Sequence, residues 1–218
     1  MTIPLEETIV VPLEEGNIEG TLRIPEKASG LVVFAHGSGS SRFSPRNRRV
    51  ATVLEEAGLA TFLIDLLTEE EERFDTESGV YRFDIPLLAS RVLAATAWLH
   101  AEKGVTGLPL GYFGASTGAG AALLAAAERP ELVEAIVSRG GRPDLAGHAL
   151  RHVRAPTLLI VGELDSVVLD LNRRALGQLP GEARLEIVPG ATHLFEEPGT
   201  LDVAAALARD WFCLHLTD

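Results

Sequence analysis

Ser116 stands between Gly114 and Gly118 in GYFGASTGAGAALLAAA (residues 111–127), where an apolar, strand-like run passes into an alanine-rich, helix-like one. Two chemistries compete for such a turn. Its backbone N–H groups and the following helix N-terminus could cradle a phosphate, or it could be the nucleophile elbow G-x-S-x-G, which exposes a serine hydroxyl. The cradle lacks the Lys-Ser or Lys-Thr that a P-loop needs, and GASTGAG does not fit G-x-G-x-x-G. The elbow asks for clearance at Gly114 and Gly118, because the residues two before and two after a strained serine crowd each other. It also aims the first N–H groups of the helix at the place where negative charge would develop.

A serine is a weak nucleophile at neutral pH and needs a base. Of six histidines, His193 alone sits in a loop, GATH, between the last strand pattern and the last helix pattern. His100 and His215 fall on helix patterns, and His148 and His152 in HALRH lack the glutamate and third ligand of a zinc motif. A histidine base needs an acid to fix its tautomer. Asp165 in VGELD fits, giving the order Ser116, Asp165, His193, and Glu163 in the same loop is its rival. HGSGSS (36–41) follows an earlier strand pattern and supplies small residues where an oxyanion hole would lie, with the N–H groups of Ser38 and Thr117 as expected donors. Arg139 and Arg142 follow another strand end and are candidate contacts for a substrate anion, while Arg42, Arg46, Arg48 and Arg49 cluster after HGSGSS. Asp65 and Asp144 read as structural or capping groups.

These residues need a frame to bring them together. The apolar runs at 31–36, 59–65, 108–115, 134–139, 157–162 and 184–189 alternate with helical patterns near 45–57, 84–103, 117–128, 169–178 and 199–215. This rhythm predicts a single α/β domain over residues 1–218: a mainly parallel sheet with helices on both faces and the chemistry at the carboxyl ends of its strands. TIVVPL and IEGTLRI around EEGN predict an antiparallel hairpin at one edge. The acidic stretch 68–79 reads as a solvated loop, and DLAGHALRHV before Thr157 is too short for a cap domain.

With 19 Lys and Arg against 31 Asp and Glu, the net charge of -12 argues against nucleic acid or anionic membrane as partner. The N-terminus has no signal-peptide pattern and no apolar stretch reaches a membrane span, so the expected location is the cytoplasm. One cysteine, Cys213, excludes an intramolecular disulfide and a thiolate cluster and reads as a small buried hydrophobe.

LVVFAHGSGSSR, GYFGASTGAGAALLAAA, SRGGRPDLA, PTLLIVGELD and VPGATHLFEEPG together resemble the dienelactone-hydrolase-like group of the α/β-hydrolases across essentially the whole chain. The resemblance implies a nucleophile at Ser116, an acid at Asp165 and a base at His193, with no metal or organic cofactor. Dienelactone hydrolases proper carry cysteine where this chain has Ser116, so an ordinary carboxylic ester, small or short-chained given the missing cap, is the expected substrate. The same three residues would serve a thioesterase or amidase. A non-catalytic binding module and a phosphate-binding domain are the readings of other classes. Oligomeric state is not legible.

Overall fold

The computed structural model describes residues 5–101 and 105–217. Its centre is an eight-stranded sheet in the order β1-β2-β4-β3-β5-β6-β7-β8. The hairpin β1 (Leu5–Pro12) and β2 (Asn17–Ile24) is antiparallel and lies at one edge. β3 (Gly30–Ala35), β4 (Leu59–Ile64), β5 (Leu110–Ala115), β6 (Ala135–Arg139), β7 (Thr157–Gly162) and β8 (Ala183–Val188) run parallel. All six coincide with the apolar runs read from the sequence.

Successive side chains of a strand point to opposite faces, and both faces here are covered. Leu31, Val33, Leu110 and Tyr112 face the core beneath α3 (Ile85–Ala101) and α4 (Thr117–Glu128). Val32, Phe34 and Phe113 face the other core, beneath α1 (Pro45–Glu56) and α6 (Thr200–Leu216). The helix expected at 84–103 runs to Ala101, its last residues lying largely outside the described ones. The helix α5 (Ser166–Leu176) starts three residues earlier than the apolar spacing suggested.

Two expectations are corrected. The acidic stretch is a helix, α2 (Glu69–Ser78). Thr68 and Glu71 form a reciprocal capping box, four glutamates sit in the first turn where the helix dipole favours them, and Gly79 closes the end at φ 66. Inside it, burial works against the charge of Asp75, but hydrogen bonds from Arg82 and Tyr81 outweigh this and hold its pKa below the usual carboxylate range. Cys213 is half-buried rather than buried, packed on the edge of the second core.

Between β6 and β7 the chain makes only 3-10 turns over Pro143–His152, broken at Gly147 (φ 54), so this connection builds no cap over the carboxyl edge of the sheet. No helix among the described residues is long and apolar enough to cross a membrane.

Candidate active site

Ser116 follows β5, the strand held between β3 and β6. Its backbone lies at φ 51, ψ −122, a region that L-residues rarely occupy, and neighbouring segments hold it there. The Ser116 N–H donates to Arg139 O, and Ser116 O accepts from Arg142 N. The glycines on either side have the expected role with more specific contacts. A Cβ on Gly114 would meet Ala119 Cα at 2.3 Å, and one on Gly118 would meet the carbonyl oxygens of Ala35 and His36 at 2.3 and 2.4 Å. Gly118 is thus required by the end of β3 as well as by the elbow itself.

His193 Nδ1 lies 2.6 Å from Asp165 Oδ2, and His193 Nε2 lies 3.4 Å from Ser116 Oγ. A proton on Nδ1 satisfies the carboxylate and leaves the Nε2 lone pair facing the serine hydroxyl, the arrangement a general base requires. The rival acid is occupied elsewhere, since Glu163 Oε2 accepts from Gly190 N at 2.8 Å. The Leu164 N–H also donates to Ala191 O, which latches the acid loop to the base loop. Glu197, not singled out in the sequence, accepts from both the backbone and hydroxyl of Thr192 and braces the base loop from its other side.

The expected oxyanion donors differ in state. The Thr117 N–H opens α4 and has no acceptor within its own helix. The Ser38 N–H is engaged, donating at 2.8 Å to the hydroxyl oxygen of Thr117. Behind them His36 is buried and neutral: burial pushes its pKa down, Nδ1–H donates to Gly37 O, and Nε2 accepts from Leu66 N. It pins the end of β3 to the chain leaving β4.

A cleft of about 260 Å³ opens over the serine, lined by Ser116, His193, Arg139, Arg46, Asn47 and Ser38 among others. A larger cavity of about 350 Å³ lies beside it around Glu19, Arg42, Asp65 and Glu72, sharing Ser40 with the cleft; the histidine in its lining, His36, has both ring nitrogens committed to backbone groups. The two candidate anion contacts separate here. Arg142 forks onto Asp144 at 2.8 and 2.7 Å and is not among the residues lining the cleft, whereas Arg139 is. The arginine cluster disperses too: Arg42 pairs with Asp65 and Glu19, Arg49 with Asp202, and Arg46 alone reaches the cleft. Among the described residues no three His, Cys, Asp or Glu gather as a metal site would need.

A strained serine at the head of the central strand, with histidine and aspartate on later strand ends of this sheet, defines an α/β-hydrolase of the serine hydrolase class. A lidless serine hydrolase from Xanthomonas campestris shares the fold (TM-score 0.77, 18% identity, 98% of this chain and 96% of that one). More specifically, the chain belongs to the Dienelactone hydrolase family, whose sequence model matches residues 18–213. The crystal structure of a dienelactone hydrolase from Anabaena variabilis is similar throughout, at 59% identity and a TM-score of 0.97 over 99% of this chain and 100% of that one. A Mycobacterium tuberculosis protein with the provisional name phosphoribosyl transferase is 62% identical over 199 residues, 91% of this chain. The chain spans only 44% of that relative's length.

Proposed function

We propose that the chain hydrolyses small carboxylic esters through an acyl-serine intermediate. The observation that carries this reading is the continuous line from Asp165 through His193 to Ser116 at the floor of an uncapped cleft. In the first step His193 Nε2 takes the Ser116 proton as Oγ adds to the ester carbonyl. The protonated imidazole then returns that proton to the leaving alcohol as the C–O bond breaks. In the second step His193 takes a proton from water, the hydroxide adds to the acyl carbon, and Ser116 leaves with the proton back on Oγ. Asp165 stabilises the imidazolium in both steps.

The negative oxygen of each tetrahedral intermediate is assigned to the N–H groups of Thr117 and Ser38. For the second of these the substrate oxygen must replace the Thr117 hydroxyl that now occupies the Ser38 N–H. The short connection between β6 and β7 supports small or short-chain acyl groups, since it folds no cap over a long chain.

The phosphoribosyl transferase name belongs to a relative of which this chain matches less than half. We leave that activity with the relative, because the glycine turn of this chain is occupied by the serine elbow.

The decisive experiment is labelling with a fluorophosphonate probe, together with hydrolysis of 4-nitrophenyl esters from acetate to palmitate. Labelling of wild type but not of Ser116→Ala, with activity falling as the acyl chain lengthens, is the expected result. An unlabelled wild type sinks the reading.

A further inference from the structure

β8, with the sequence ARLEIV, ends the strand order beyond β7, and among its residues only Val188 is buried. An edge strand of this kind offers its free N–H and C=O groups as a template for another chain. The Thr157 N–H donates to Glu182 O and the Glu163 N–H to Val188 O, so the even-numbered residues turn their backbone toward β7. By the alternation of a strand, Ala183, Leu185 and Ile187 turn theirs outward.

The side chains alternate as well. Leu185 packs on Val168 and Leu169 of α5, and Ile187, 41% exposed, stands on the same face. Arg184 and Glu186 stand on the other face, together with Val188, which enters the core beneath α6. Arg184 lies over the ring of Trp211 at 5.2 Å and pairs with Glu182 at 2.7 Å, a contact exposed on both sides and therefore of little worth. Glu186 has no ion pair among the described residues.

Against an antiparallel copy of itself this strand has one favoured register. With Leu185 opposite the second copy's Leu185, the outward N–H and C=O groups fall into hydrogen-bonded pairs, and Ala183 meets Ile187. Arg184 then stands opposite Glu186 on both sides of the centre, in the non-hydrogen-bonded pairs where side chains come closest. Centring on Arg184 or Glu186 sets like charges opposite each other, and centring on Ile187 brings Pro189, which has no N–H, opposite Leu185. Centring on Ala183 runs out of strand at Gly181 and Pro180. The far edge of the sheet differs: β1 carries Glu6 and Glu7 as its only charges, so no register of β1 on its own copy pairs opposite signs.

We propose that two copies of this chain join along β8, antiparallel about a twofold axis, into one continuous sheet with reciprocal Arg184–Glu186 pairs across the seam. β8 leads into the loop that carries His193, so the seam also braces that loop in each copy. The interface stands apart from the hydrolase reading.

Sedimentation velocity on the full chain, from about 1 to 300 μM, reads the association. Wild type is expected to pass from monomer to dimer across that range. Arg184→Glu and Glu186→Arg each set like charges across the seam and should weaken association about tenfold or more. An equimolar mixture of the two variants should dimerise again, because every glutamate of one strand then faces an arginine of the other. Concentrating wild type should also slow hydrogen exchange at the amides of Ala183, Leu185 and Ile187, an effect absent from either variant alone. Circular dichroism checks the fold of both variants; should one fail to fold, the other variant and the exchange pattern decide. A wild type that stays monomeric, a dimer that neither variant weakens, or a mixture that associates no better than its components overturns the proposal.

Discussion

Asp165 and His193 meet at 2.6 Å although they stand on different loops, because Glu163 and Leu164 of the acid loop hold Gly190 and Ala191 of the base loop through two hydrogen bonds. The two carboxylates of VGELD therefore divide the work, one orienting the imidazole and the other its loop. Asp165→Asn is expected to lower kcat about 10⁴-fold by favouring the wrong tautomer. Glu163→Gln keeps an acceptor for Gly190 and should cost about fivefold at most. Steady-state kinetics on 4-nitrophenyl acetate would expose a reversed order of the two losses.

Gly118→Ala should destabilise the fold by about 3 kcal/mol or more, since the new Cβ would lie 2.3 Å from a backbone oxygen that has no room to move. Gly177→Ala is the control: its φ is −72 and its nearest obstacle is 3.8 Å away, so it should be neutral or stabilising by about 0.4–1 kcal/mol. Urea midpoints of the two variants give the comparison.

Thr117→Val leaves the Ser38 N–H without its acceptor and should cost about 1–3 kcal/mol of stability. The same change removes the group that competes with the substrate oxygen, so kcat/KM should rise about two- to tenfold. A fall in kcat/KM would mean that the hydroxyl aims the N–H rather than occupying it.

The buried His36 makes stability depend on pH. Burial depresses its folded pKa below the ordinary 6.5, so on acidification the unfolded chain takes up this proton first. The contribution of neutral His36 is complete above pH about 6.5 and is lost as pH falls toward the folded pKa, by up to about 1.4 kcal/mol per pH unit. His36→Gln should be less stable at pH 7.5 but show a shallower decline to pH 5 in denaturant titrations. Parallel declines would remove His36 from the account.

The strand ends were legible in the sequence because β3 to β7 are buried on both faces and read as unbroken apolar runs between turn residues. Ser116, His193 and Asp165 could be read from their places after such runs, in an order that few arrangements share. Helix α2 was hidden because it has almost no apolar stripe: its helicity comes from Thr68, Glu71 and Gly79 at its ends, so periodicity was the wrong signal. Arg139 and Arg142 could not be separated by spacing, since both stand at the close of the same apolar run. Asp144, two residues beyond Arg142, was the available hint that this cation was already matched. The engagement of the Ser38 N–H by Thr117 joins residues 79 apart and left no trace in the sequence.

The serine and the histidine of the candidate site do not share the same shelter. Ser116 is rooted in the middle of the sheet, whereas His193 hangs from β8, an edge strand whose residues are mostly open to water. Fraying of that border would carry the imidazole away while the cores around β3 and β5 stayed closed. Heating should therefore silence the molecule before it unfolds, and cooling should return activity without the slow search that refolding demands.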